Sequence, residues 1–454
     1  MIITSIETKN NRPTVSPRGR TDTKRAGEDG LWYRTASLTT RVPTALGVKT
    51  PRRGSTAAAW LCKTCADLVV ASYYAGYHYN ATPPFTLEDV PWTRYTHLTY
   101  AFAETTANMS LDLSASDPDV LPDFVSMAHE HNITASVSIG GWTGSRYWST
   151  AVGSAENRTK FVKIVSDFAK DYDLDGLDFD WEYPGDQGIG CNAISANDTD
   201  NFLLFLQELR QDSVGADLIL TAATAIKPFY NASGSPSTNV TAFSEVLNFV
   251  MVMNYDIWGP WSATAGPNAP LNDSCASAAD QQGSAVSAVN SWMNAGMPAN
   301  QIVLGIAAYG HSYTVNSTDA YPNNTWELGL YPAFNSSDRR LGDSWDDPAG
   351  YDECGVYEQA GGIYTFAGLV RDGFLGEEGD PMAGIAYVFD ECSQTSFIYN
   401  ETAQLYVSFD DADSVAAKGE FIIDNGLRGF SIWETGGDYN NILLNSILDA
   451  MCID

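Results

Sequence analysis

The segment DYDLDGLDFDWE, Asp171 to Glu182, holds six acidic residues in twelve and no basic one. Carboxylates at this density do one of two kinds of chemistry. They bind a hard cation, or they hold and move a proton. The spacing fits D-x-D-x-D-G-x5-E, the written form of an EF-hand calcium loop. Such a loop needs a helix on each side and an apolar residue at its eighth position. Here the eighth position is Asp178, and Tyr183-Pro184-Gly185 follows the loop and starts no helix. No second loop of the kind is visible.

The other reading is a β-strand. Leu177, Phe179 and Trp181 alternate with Asp178, Asp180 and Glu182. Strand geometry sends the two sets to opposite faces. Three carboxylates on one inward face repel one another and are poorly solvated. At least one proton is then retained, with pKa values pushed apart. A group of this kind suits general acid catalysis, and perturbed carboxylates mark functional sites. Asp175 has the wrong parity to join them and is expected to act as structural support.

Such a strand needs a scaffold. From residue 67 the chain alternates strand-like and helix-like segments. Eight apolar runs stand out: DLVVASYYAG, YTHLTYAFAE, NITASVSIGGW, LDGLDFDWEY, LILTAATA, LNFVMVMNYD, IVLGIAAYG and LRGFSIWE. Most are rich in β-branched or aromatic residues and are bounded by turn formers. Phe161, Ile164, Val165 and Phe168 recur at helical spacing between two of the runs. DADSVAAKGEFIIDNG opens on acidic residues and ends at a glycine, as helices do. Eight strands alternating with helices predict an α/β fold, a (β/α)8 barrel. About 120 residues separate the seventh run from the eighth, too many for one connection. The expectation is an inserted α+β subdomain over residues 312–386, within a catalytic barrel over 67–454.

Asp175-Gly-Leu-Asp178-Phe-Asp180-Trp-Glu182 reads D-x-x-D-x-D-x-E and resembles the signature of family 18 glycoside hydrolases, the chitinases. SIGGW (Ser138–Trp142), MNYD (Met253–Asp256) and the Trp433 of SIWE are similar to further motifs of that family, in its order. With the insertion, the likeness is to fungal-like members. The resemblance implies roles. Glu182 would be the general acid. Asp180 would hold the 2-acetamido group of the substrate, and Asp178 would share a proton with it. Tyr255 would bond the acetamido carbonyl, and Trp433 would floor the sugar at −1. Tyr73, Phe102, Gly140, Gly141, Thr143, Tyr183, Met253, Asn254 and Asp256 would belong to the same pocket. Trp142 and Trp261 would stack on sugars on the leaving-group side. His311, where the family often has Arg, and Tyr77-His78, where it has Trp, put the outer contacts in doubt. The implied activity is secreted hydrolysis of chitin and chitooligosaccharides by a substrate-assisted, retaining route, with no cofactor and no metal. Two alternatives stay open: a catalytically weak chitin-binding lectin, and an endo-acting enzyme cutting N-glycan cores.

Composition narrows the partners. The 454 residues carry a net charge of −31. A nucleic-acid binder needs a basic footprint, so that class is not expected. Charge is uneven, for residues 1–66 hold twelve Lys and Arg against four Asp and Glu. That polar, turn-rich stretch reads as a disordered arm foreign to the barrel. Twelve N-x-[ST] sequons, from Asn80 to Asn400, all lie beyond it. Chance supplies roughly a third as many, so a secreted glycoprotein is expected, although MIITSIETKNN is no secretory leader. No apolar run is long enough to cross a membrane, and a monomer is expected. Seven cysteines suit an oxidising compartment. Cys191–Cys275 and Cys354–Cys392 are the pairings expected, and Cys62-x-x-Cys65 is half a zinc site without a second half.

Overall fold

The computed structural model describes residues 68–322 and 325–453. The basic arm, with Cys62 and Cys65, lies outside the described residues. Eight parallel strands form a closed barrel: β1 (Val69–Ala75), β2 (His97–Thr105), β3 (Thr134–Gly140), β4 (Gly176–Asp180), β5 (Ile219–Thr224), β6 (Phe249–Val252), β7 (Ile302–Ala307) and β8 (Gly429–Trp433). Each pairs with its neighbours in chain order, and β8 returns to β1 with Val69 opposite Gly429. Every strand coincides with one of the eight apolar runs, β2 running one residue past its end to Thr105. This is the (β/α)8 barrel.

The helices form where the sequence signals them. Ser154 caps Ala155–Asp171 by accepting from the amide of Asn157. Asp411 caps Ala412–Asp424 by accepting from Ser414 N. Each cap satisfies an amide that the first helical turn leaves unpaired. The buried stripe of the first helix is Phe161, Val162, Val165, Ser166 and Ala169. It is rotated from the expected one, so that Ile164 and Phe168 sit at its edge.

That helix helps to seat β4. Leu177, Phe179 and Trp181 point outward and are buried. Trp148 stacks on Trp181 at 5.4 Å and meets Phe161, Phe179, Phe202 and Phe205 edge-on. Aromatic pairs contribute about 0.5–1.5 kcal/mol each beyond area burial. The outer face of the acidic strand is thus among the most firmly packed places in the barrel.

The insertion is larger than residues 312–386. Its five-stranded sheet runs, in spatial order, Ile363–Thr365, Tyr309–Thr314, Leu405–Phe409, Thr395–Asn400 and Ala386–Asp390. It therefore begins two residues after β7 and continues to Phe409. Tyr313, Val315, Phe397, Tyr399 and Tyr406 give it a small core of its own. At its exit Lys418 and Asp410 form a fully buried ion pair.

The disulfides are exchanged relative to expectation. Cys191 joins Cys354, and Cys275 joins Cys392. Pairing by proximity in the chain fails because the insertion folds back over the barrel. That fold-back carries Cys354 to the loop after β4. Cys392 reaches the loop after β6, where the amide of Leu271 donates to Ser393 O. Among the described residues Cys452 is the free cysteine.

Candidate active site

The acidic segment is a strand, not a cation loop. The helix before it ends at Asp171, β4 begins at Gly176, and Glu182 leads into a turn. Asp175 is support, as its parity requires. Its carboxylate accepts from the amide of Ala135 and lies 3.0 Å from His129 Nε2.

Asp178, Asp180 and Glu182 climb the inner face in that order, and their environments differ. Asp178 is completely buried. Tyr73 and Ser138 donate to its Oδ2 at 3.0 and 2.8 Å, and Thr221 donates to its Oδ1 at 2.7 Å. Burial pushes its pKa up, while these three hydroxyls pull the other way. Asp180 has no such help, and its Oδ1 is buried without a partner. Burial raises its pKa well above the usual range, and the charges of Glu182 and Asp178 add to the rise. Glu182 stands at the top, raised to about 7, first by burial and then by Asp256, against a hydrogen bond from Tyr183. Burial thus favours the protonated form at Asp180 and Glu182, while the three hydroxyls make Asp178 the carboxyl best placed to carry charge. Hydroxyls hold both oxygens of Asp178, and no hydrogen bond joins Asp178 to Asp180.

The backbone of Glu182 is pinned at both ends. Its amide donates to Ser145 Oγ at 2.9 Å, and its carbonyl accepts from Asn192 Nδ2 at 2.7 Å. Ser145 Oγ in turn donates to Asp180 O. The strand end is therefore fixed before any ligand arrives, as preorganised catalysis requires.

Above the carboxylates lies a cleft of about 990 Å³, into which Glu182, Tyr183, Asp256, Trp142, Trp261 and Trp433 all open. A contiguous deeper part adds Tyr73, Phe102, Thr143, Asp180, Met253 and Tyr255. Trp433 is its floor, with Phe102 stacked on it at 5.3 Å and Tyr73 edge-on at 5.3 Å. Trp142 and Trp261 are 51% and 63% exposed, which suits rings waiting for a partner.

Residues 69–438 match the profile of Glycosyl hydrolases family 18. The chain belongs to that family. A chitinase-like effector of Moniliophthora roreri is 51% identical over 380 residues, covering 84% of this chain and 92% of its own. Chitinase A1 of Niallia circulans is 29% identical over 70% of this chain and 42% of its own. Among solved structures, the chitinase RmChi1 of Rhizomucor miehei superposes with a TM-score of 0.75 at 31% identity, covering 84% of this chain and all of its own.

Measured against the family 18 motifs, three expected pocket residues lie behind the cleft wall. Gly140 has φ +119°, and a Cβ there would meet Asp180 O at 2.0 Å. Gly141 has φ +79° and closes on the Phe102 ring. Gly140 allows the close approach of backbone to strand β4, and Gly141 the approach to Phe102 on β2. Asn254 is buried and donates to Pro270 O. These residues position the site without lining it. Asp256 does line it, in the left-handed region at φ 55°, held by Tyr309 Oη and His311 Nε2 at 2.8 and 2.7 Å. Trp345, in the insertion, went unnoticed in the sequence. It stacks on His78 at 3.9 Å, and Glu434 Oε1 lies 3.2 Å from His78 Nδ1. Glu434 follows Trp433 in a motif that pointed to it, whereas Trp345 belongs to no motif.

Proposed function

We propose that the protein is a secreted chitinase, cutting β-1,4-linked N-acetylglucosamine polymers with retention through the substrate's own acetamido group. The observation that carries this reading is the order of the inner face, with Glu182 at the top, raised to about 7, and Asp180 buried two residues before it. A retaining enzyme of the two-carboxylate kind places its nucleophile about 5–5.5 Å from the acid on the facing side. Here the neighbour is Asp180, two residues away on the same strand. Asp256, the other carboxylate that opens into the cleft beside Glu182, is held by Tyr309 and His311, so a nucleophile carried by the substrate fits the arrangement better.

The steps follow from the positions. Trp433 supports the sugar at −1. Asp180 accepts from the acetamido N–H, and Tyr255 Oη donates to its carbonyl. The acetamido oxygen bonds to the anomeric carbon while the glycosidic C–O bond breaks, and Glu182 gives its proton to the departing oxygen. The ring formed from the acetamido group carries positive charge, which the carboxyls beneath it stabilise. Glu182, now a carboxylate, takes a proton from the water that opens this ring. The product keeps its β configuration.

One observation favours a second reading, a chitin-binding protein without turnover. Relatives 51% identical are described as chitinase-like effectors. Glu182, Asp180 and Asp178 are all present here, which supports turnover. Cutting of N-glycan cores is less favoured, because the exposed tryptophans along an extended cleft suit a linear polymer. Secretion is supported by the sequons: none of the eleven in the described residues has a buried asparagine. Release of reducing ends from a chitin hexamer by the intact protein, and its loss in Glu182→Gln with hexamer binding kept, is the test. Binding without release in the intact protein establishes the second reading.

A further inference from the structure

The insertion leaves the barrel between β7 and β8. In an eight-membered ring the loops after β3 and β4 lie diametrically opposite. The insertion reaches them. Its hairpin, Gly350–Tyr351 paired with Tyr357–Glu358, is tied to the loop after β4 by Cys354–Cys191. Glu353 at its tip meets Arg146, beyond β3, at 3.3 Å. Arg146 also donates to Thr143 O and meets Glu104 at the end of β2. The segment leading into the hairpin, Asp343–Asp347, lines the cleft beside Tyr77, Trp142 and Glu182.

We infer that this hairpin is a covalent bridge between the two walls of the cleft, and that it makes the site select polymer chain ends over chain interiors. The inference rests on the chitinase reading above. A long chain can enter an open groove sideways anywhere along its length. A cleft with its walls joined admits it by threading, and a chain carrying bulky substituents is held back. The bridge is built to keep its shape. Asp352 Oδ1 accepts from the amides of Cys354 and Val356, closing the turn. Tyr351 and Tyr357 face each other across the strands at 5.4 Å and remain 77% and 59% exposed.

The test compares three proteins: the intact chain, Cys191→Ser/Cys354→Ser, and a variant with residues 350–358 replaced by two glycines. Each is given glycol chitin, a soluble polymer substituted along its length, and the tetramer of N-acetylglucosamine. Viscosity loss is read per reducing end released. Both variants are expected to lower viscosity several-fold more per reducing end than the intact chain, with tetramer turnover changed less than twofold. Equal ratios in all three overturn the bridge. The same comparison is made by binding in the Glu182→Gln background, to hexamer and to glycol chitin. Gain of polymer binding on opening the bridge supports it, and unchanged polymer binding overturns it. Hexamer binding without turnover in the intact chain defeats the chitinase reading alone.

Discussion

The barrel and its insertion solve different problems with different residues. On β4 the barrel concentrates charge that the fold has to offset. Asp178 takes three hydroxyl hydrogen bonds, Asp180 takes none and has its pKa raised, and Trp148, Phe202 and Phe205 brace the outer face. The insertion brings Asp343, Asp346 and Asp347 to the cleft wall, on a loop rather than on a barrel strand. It contributes Trp345, Ile363, His311 and the cross-barrel bridge, which shape the wall. The lesson is a division of labour: the candidate acid stands at the end of a strand pinned by hydrogen bonds and aromatic packing, and the lobe added between two strands shapes the cleft wall.

The largest effect is expected where the chemistry sits. Glu182→Gln keeps the shape and removes the donated proton, so kcat on a chitin oligomer should fall on the order of 10²–10⁴-fold. Affinity for the oligomer should be nearly unchanged, because the lost interaction belongs to the transition state. Isothermal titration beside steady-state kinetics reads both. A large loss of affinity would place Glu182 among the binding groups and blur the division.

The second break falls at the junction. Lys418→Met leaves Asp410 buried without its partner, and removing one member of a buried pair costs about 3–5 kcal/mol. Denaturant unfolding should show that loss. The insertion connects to β8 through this helix, so a variant as stable as the parent would mean the junction is not the fixed point assumed here.

Third, Trp345→Ala removes the backing of His78 on the insertion side. If the insertion serves binding alone, KM should rise roughly tenfold, about 1.4 kcal/mol, with kcat kept. An equal fall in kcat and kcat/KM would give the insertion a share in the chemistry.

The smallest effect concerns pH. Burial raises Glu182 to about 7 and Asp438 to about 6, both above their unfolded values. Between the unfolded and folded pKa the native state holds more protons than the unfolded one. Stability contributed by these groups is therefore present below about pH 4 and lost as pH rises through 6 to 7. The melting temperature should be several degrees higher at pH 5 than at pH 8. The basic limb of kcat should fall near pH 7 as Glu182 ionises.

The same division decides what could be read from the sequence. Strand alternation from Leu177 to Glu182 is local, so β4 and its carboxylates were legible, as were all eight barrel strands. The EF-hand spacing was discarded on one residue, Asp178, and on Tyr183-Pro184-Gly185. The insertion depends on contacts distant in sequence. Thr395–Asn400 and Leu405–Phe409 pair within a sheet that opens at Tyr309, which no local pattern announces. The disulfide exchange has the same origin, since 163 residues separate Cys191 from Cys354. Trp345 was missed because stacking on His78 is a tertiary fact. Gly140 and Gly141 were read as pocket residues, yet Gly140 serves the packing of β3 on β4 and Gly141 closes on Phe102 of β2.

The central claim is that the substrate supplies the nucleophile over a protonated Glu182. Proton NMR of a chitin hexamer within minutes of mixing tests it most directly. The account predicts that the first-formed reducing ends are β-anomers, and that fully deacetylated chains are left uncut. An α-anomer as the initial product, or brisk cleavage of the deacetylated polymer, would contradict it.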